Sequence, residues 1–279
     1  MKIAIMKISV IVLYVLIACD AAVFAQTPAL QGVPKSGFDH SDWSHVLSEN
    51  VVAAGNSTQV NYAGVEKSAQ LLQRYLDSLA SVSQPQFDSW TKSEQLAFLL
   101  NAYNAWTVKL VLSDYKKIKS IKELGSLLHS PWKKTFIPLF GKTLSLDDIE
   151  QGLIRGSDRY QEPRIHFAAN CASIGCPALR NEAYTGGHLD VQLEDQTRRF
   201  LRDKTRNFVS NDSLKLSSIF KWYREDFENG WRDSQSLEDF LGIYVVELML
   251  SPSQIEKLRN GDFDIEFLDY NWNLNRTQP

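Results

Sequence analysis

Residues 91–112 read TKSEQLAFLLNAYNAWTVKLVL. Thr91 followed three residues later by Glu94 is a capping box, which opens a helix at this point. Beyond it Leu96, Phe98, Leu99, Leu100, Ala102, Tyr103, Trp106, Val108, Leu110, Val111 and Leu112 cover nearly the whole circumference. A helix that is apolar all round belongs at the centre of a fold. The exceptions form a stripe. At about 100° per residue, Glu94, Ala97, Asn101 and Asn104 fall within roughly 80° of one another. Buried polar groups need hydrogen-bond partners, so this stripe is expected to face another polar element, a helix terminus or a site.

Around that helix the pattern predicts a helix-rich α+β domain with a small antiparallel sheet. Ser41–Val52 reads as a short helix, and Glu66–Ser83 carries Leu71, Leu72, Tyr75, Leu76 and Leu79 at helical spacing. Ser120–Leu128 is a weak helix. Phe136–Leu144 reads as two short strands around Gly141, and Ser145 with Asp148 opens a helix to about Arg155. Arg164–Asn170 fits a strand or a helix start. Leu189–Lys204 is amphipathic, and Asn207–Ser217 is a hairpin about Asn211-Asp212. Ile219–Glu228, Ser236–Leu250 and a short helix capped by Ser253 and Glu256 follow, with Asp264–Tyr270 as a last strand.

The first residues carry an export pattern. Lys2 and Lys7 precede the short apolar run Ile8–Ala18, which Asp20 interrupts. That run falls short of the roughly 20 apolar residues that span a bilayer, so residues 1–25 are expected to be a signal peptide. Val23-Phe24-Ala25 fits cleavage before Gln26. Leu16-Ile17-Ala18-Cys19 offers the alternative of a lipid anchor at Cys19, the one route by which a membrane would be a partner. Residues 26–40 read as a linker and 41–279 as one globular domain, periplasmic or extracellular. Removing the leader takes the formal charge from −3 to about −4, which gives no electrostatic case for nucleic acid. An unidentified small molecule or peptide is the expected partner, with no cofactor and no metal.

Residues 165–180, IHFAANCASIGCPALR, concentrate the chemistry. Cys171 and Cys176 stand there with His166, Asn170 and Ser173. A thiol needs a cation, an imidazole or a helix N-terminus to become a useful thiolate. His166 is the nearest imidazole in sequence. Five residues apart, the two side chains lie on opposite faces of a strand, or about 140° apart on a helix, so only a bend would join them. His188, after Gly186-Gly187, is another candidate partner. The alternative is a Cys171–Cys176 disulfide, which four intervening residues with Gly175 allow. Loop closure in so short a ring stabilises by only about 2 kcal/mol, so its natural role is a local brace. Metal ligation with His166 or His188 is a third reading, at a spacing longer than the usual zinc knuckle.

Several segments together resemble one family. They are Glu94-Gln95-Leu96-Ala97-Phe98, Asn101-Ala102-Tyr103-Asn104-Ala105, Arg164-Ile165-His166-Phe167-Ala168 with Asn170-Cys171-Ala172-Ser173, and Gly175-Cys176-Pro177. Phe220-Lys221-Trp222-Tyr223 with Asp226-Phe227, and Tyr270-Asn271-Trp272 with Leu274-Asn275, complete the series. Dissimilar motifs in this order look like the family catalogued as domain of unknown function 547, over roughly Trp90 to Asn275. The resemblance implies no established reaction.

Three functions follow as expectations. In the first, a thiol-dependent acyl-transfer or hydrolase-type enzyme uses Cys171 as nucleophile and His166 as base or acid. Glu94, Asn101 and Asn104 would orient the imidazole or stabilise an oxyanion; the alternative for this stripe is a structural network. In the second, a non-catalytic binding module has a recognition loop braced by Cys171–Cys176. Arg164, Asn170, Ser173, Tyr103, Lys221 and Trp222 are the binding candidates, with Arg164 the expected charge partner of Glu94. Lys221, Trp222 and Tyr223 either line a carbohydrate or peptide groove or, with Asp226, form core packing and a surface ion pair. A thiol–disulfide exchanger is a third function, against which the absence of C-x-x-C counts.

Overall fold

The helix Lys92–Leu112 forms as its sequence dictates. Thr91 Oγ1 accepts the backbone N–H of Glu94, and the Glu94 carboxylate accepts the N–H of Thr91 at 2.9 Å. Residues 95–108 are all buried, polar Gln95, Asn101, Asn104 and Thr107 among them. In this computed structural model, residues 37–126 and 129–278 are described. The expected leader, the lipidation site at Cys19 and residues 26–36 of the expected linker lie outside the described residues. The described residues belong to a unit that begins at Gly37.

The helices Ser41–Asn50, Tyr62–Lys67 and Ala69–Ala80 pack on one another, and Ala69–Ala80 on the central helix. The predicted run 66–83 is thus broken at Ser68, which ends Tyr62–Lys67 and precedes Ala69–Ala80. A hairpin of Val51–Ala54 with Ser57–Val60, which the sequence pattern did not announce, closes this side. Ile137–Leu139 and Lys142–Leu144 pair around Gly141 as expected. The largest sheet has Phe208–Ser210 antiparallel to Ser213–Ser217, with Ile265–Leu268 added in parallel. It is therefore mixed rather than purely antiparallel. Asn211 and Asp212 both adopt positive φ, at 51° and 60°, as a two-residue hairpin turn requires.

Two apolar clusters result. One surrounds the central helix. The other gathers Phe167, Phe200, Phe220, Phe227 and Phe240 under the mixed sheet and Leu189–Leu201. Ile165 belongs to the first cluster and Phe167 to the second. The intervening His166 therefore sits at their junction.

Gly37–His40 is part of the fold. The Phe38 ring meets Phe98 edge-on at 5.1 Å, and His40 is buried with Nδ1 2.7 Å from the Tyr75 hydroxyl. Burial lowers the His40 pKa from 6.5 to about 4, against the opposing charge of Asp39. The unfolded chain then binds a proton that the folded chain does not. Stability is present above the unfolded value and is lost as pH falls from 6.5 towards 4. The expected acid loss is about 3 kcal/mol. Urea midpoints through that window should fall steeply for the native chain and less so for His40→Gln.

Candidate functional site

A pocket of about 300 Å³ opens where the two clusters meet. The central helix contributes Tyr103. Trp132 comes from a 3₁₀ turn, Glu150 and Gln151 from the π-helix Asp148–Ile154, and His166 from the 3₁₀ helix Pro163–Phe167. Cys171 and Pro177 come from the following loop, Trp222 and Tyr223 from the end of Ser218–Trp222, and Tyr270 and Trp272 from the segment after the last strand. The tail end is an aromatic wall. Tyr270 and Trp272 lie 4.5 Å apart, with Trp222 4.8 Å from Tyr270 and Trp132 5.7 Å from Trp272.

His166 is held on three sides. Its Nε2 is 2.6 Å from Oδ2 of Asp226, and its ring stacks on Tyr223 at 3.9 Å with Phe227 at 5.6 Å. Arg155 grips the same carboxylate with Nε and Nη2 at 2.6 and 2.8 Å. The Tyr223 hydroxyl donates to Glu150 at 2.8 Å, and the Arg155 guanidinium lies over the Tyr223 ring. Burial would raise the Asp226 pKa, but hydrogen bonds from Arg155 and His166 outweigh it and hold the carboxyl well below its usual range. An ionised Asp226 can only accept, so a neutral His166 carries its proton on Nε2. Burial also pulls the imidazole below its ordinary 6.5, although Asp226 opposes this. The ring is therefore neutral at neutral pH. Among the described residues Nδ1 makes no hydrogen bond, so its lone pair is the one left for chemistry.

The cysteine loop is closed by a Cys171–Cys176 disulfide. Asn170 shapes the entry: its Oδ1 accepts the N–H of Ala172 at 2.9 Å, and its Nδ2 donates to the Pro177 carbonyl at 2.7 Å. The first bond supports the positive φ of 61° at Ala172, which a side-chain turn of this kind tolerates. Gly175 is required at its position, because a Cβ there would lie 2.8 Å from the Tyr270 ring. That ring in turn sets its hydroxyl 3.2 Å from Cys171 Sγ. His166 and Cys171 both line the pocket. As a disulfide sulfur, Cys171 has no thiolate in this state.

The other expected residues divide. Tyr103 lines the pocket, and its phenol is pushed up by burial first and by Glu150 second. Trp222 also lines it, 47% exposed, which corrects the core-packing alternative. Lys221 is exposed and lies outside the lining. Ser173 is buried, with its hydroxyl against the Cys171 carbonyl. Arg164 is buried in a cage of Glu162, Asp190 and Glu194 at 2.7, 2.7 and 3.1 Å, and these carboxylates take the place expected of Glu94. Glu94 serves the helix cap, with Gly186 close against it.

Asn101 and Asn104 spend both ends of their amides on backbone. Asn101 donates to the Tyr184 carbonyl at 2.8 Å and accepts the Tyr184 N–H at 3.0 Å. Asn104 donates to Ala168 at 3.0 Å and accepts the N–H of Asn170 at 2.8 Å. Each clamps a loop to the central helix. Neither Glu94, Asn101 nor Asn104 lines the pocket. No group of three His, Cys, Asp or Glu side chains among the described residues is placed to hold a metal ion.

Sequence reasoning missed Glu150 and Arg155, and read Asp226 only as a surface ion-pair residue. Nothing local marks them, since Asp226 is sixty residues from His166, Glu150 sits on the π-helix and Arg155 on the 3₁₀ turn that follows it. Helical insertions of that kind gather at functional sites. Residues 87–201 match the model of the family described as Protein of unknown function, DUF547. No curated protein and no solved structure matches the chain.

Proposed function

We propose from the site itself that this chain, whose residues 87–201 match that family, is a thiol-dependent enzyme of acyl-transfer or hydrolase type. The observation that carries this reading is the neutral His166, fixed by Asp226 at 2.6 Å in the pocket that Cys171 also lines. In the reduced chain, the Cys171 thiol gives its proton to His166 Nδ1, and the thiolate attacks the substrate carbonyl. The leaving group departs with the proton from the imidazolium. Water activated by the same ring then hydrolyses the thioester. Asp226 keeps the productive tautomer, as a triad carboxylate does. The Tyr270 hydroxyl, 3.2 Å from Cys171 Sγ, is within reach of an oxyanion formed at that sulfur. The aromatic wall suits a substrate with an apolar or planar face. The disulfide supports an exported location, where such bonds persist.

A Cys176→Ser variant frees Cys171 without any reductant and tests this directly. Its alkylation by iodoacetamide should reach half-maximal rate well below the pKa of about 8.5 of an ordinary thiol. A second change, His166→Asn, should return the midpoint to that value. Identical profiles with and without His166 would instead favour a non-catalytic binding module. The feature behind that second reading is the four-ring wall of Trp132, Trp222, Tyr270 and Trp272 beside a disulfide-closed loop.

A further inference from the structure

The two sulfurs of the disulfide live in different surroundings. Cys171 is half-buried and lines the pocket, with Sγ 3.2 Å from the hydroxyl of Tyr270, another lining residue. Cys176 is 1% exposed, and its sulfur receives the backbone N–H groups of Cys171 and Ser173 at 3.0 and 3.3 Å. Those donors would stabilise negative charge on the Cys176 sulfur. The Arg206 guanidinium adds a nearby positive group, bonded to the carbonyls of Ile174, Gly175 and Cys176 and balanced by Asp203 at 2.8 Å. The disulfide is thus polarised, with an accessible sulfur on one side and a stabilised leaving group on the other.

The loop is also held without the S–S bond. Ile174 and Gly175 donate backbone bonds to Asn273 and Asn271, each at 2.8 Å, and the Asn275 N–H reaches Ala172 at 3.1 Å. With Asn170 on Pro177 and Arg206 on three carbonyls, the loop conformation is specified several times over. Opening the disulfide therefore leaves the framework in place, so a purely structural role for it is redundant.

We propose that the Cys171–Cys176 disulfide is a thiol-exchange site for a low-molecular-weight thiol that enters the pocket. The incoming thiolate attacks Sγ of Cys171, a new S–S bond forms there, and the Cys171–Cys176 bond breaks. Cys176 leaves as the thiolate, on the two N–H donors. A second thiol attacks the outer sulfur of the mixed disulfide, is oxidised with the first to a small disulfide, and leaves Cys171 as a free thiolate. Two small thiols are oxidised for each protein disulfide reduced, and two protons pass to the protein sulfurs or to solvent. This rests on the proposed enzyme only in its consequence: exchange would unmask the nucleophile, so the oxidised chain is latent.

The test treats the native oxidised chain with 2-mercaptoethanol, quenches with acid, alkylates with N-ethylmaleimide and maps the peptides by mass. The thiol adduct should lie on Cys171 and the maleimide on Cys176, with at least about a tenfold excess over the reverse arrangement. Amide hydrogen exchange of the rest of the chain should be unchanged. A protein-sized dithiol, unable to enter the pocket, should react more slowly at equal thiolate concentration. Adducts on Cys176, opening only at the rate of global unfolding, or faster reaction with the protein dithiol would overturn the proposal. Any of those results leaves the Cys176→Ser experiment standing, because there Cys171 is free from the outset.

Discussion

Replacing Asp226 with Asn in the Cys176→Ser chain will lower the acylation of Cys171 by p-nitrophenyl acetate at neutral pH by about 100-fold or more. Asp226 accepts the Nε2 proton of His166 at 2.6 Å while Arg155 holds both of its oxygens. An asparagine can keep one oxygen on Arg155, but its amide then presents N–H to the imidazole. The ring responds by moving its proton to Nδ1, and the lone pair that the proposed base uses disappears. The same tautomer flip costs about 10⁴-fold in serine-protease turnover. The smaller figure here allows for the greater intrinsic acidity of a thiol. Stability should fall by about 1–3 kcal/mol, since Arg155 loses a charged partner in a half-buried setting. The burst of nitrophenolate measures the first effect and urea unfolding the second. An unchanged burst with a normal fold would mean that the dyad is structural.

Asn104→Ala is expected to cost about 2–4 kcal/mol. Asn104 is 2% exposed and meets the backbone on both sides of Ala169, donating to Ala168 and accepting from Asn170. Alanine leaves a buried carbonyl and a buried N–H without partners, each costing about 1–3 kcal/mol unless water enters. Asn104→Asp keeps the acceptor for Asn170 but turns a carboxylate oxygen towards the Ala168 carbonyl, so it should not rescue. The loss should appear as a lower urea midpoint at unchanged slope. The clamped residues directly precede Cys171, so the thiol profile of the Cys176→Ser chain should also broaden. A loss within about 0.5 kcal/mol, the range of ordinary surface changes, would mean that the clamp is dispensable.

These two residues show what the sequence makes legible. Helical periodicity placed Asn104 on a polar stripe and required that stripe to meet something polar, and it does: the stripe holds the segment that carries His166 and Cys171. The structural-network alternative describes what these amides do, although in sequence an amide that clamps backbone looks like one that serves an oxyanion. Glu94 was legible as a capping residue from its spacing to Thr91, and that capping bond is what the fold uses. Asp226 shows the opposite limit. Its partnership with His166 is created by tertiary packing across sixty residues, and no local period reports it. Glu150 was hidden by the assumption of 3.6 residues per turn, which the π-helix Asp148–Ile154 does not obey, and Arg155 by the 3₁₀ turn Arg155–Ser157 that follows it. Trp222 looked like core because aromatics at helical spacing usually are. It ends its helix at the mouth of the pocket instead, 47% exposed.

The state of the His166 ring decides most. Nitrogen NMR on the native chain with isotope-labelled histidine reads protonation and tautomer at each ring nitrogen. The expected result at neutral pH is a neutral His166 with its proton on Nε2 and a bare Nδ1, titrating only below its ordinary 6.5. A proton on Nδ1, or an imidazolium at neutral pH, would contradict a general base held ready by Asp226.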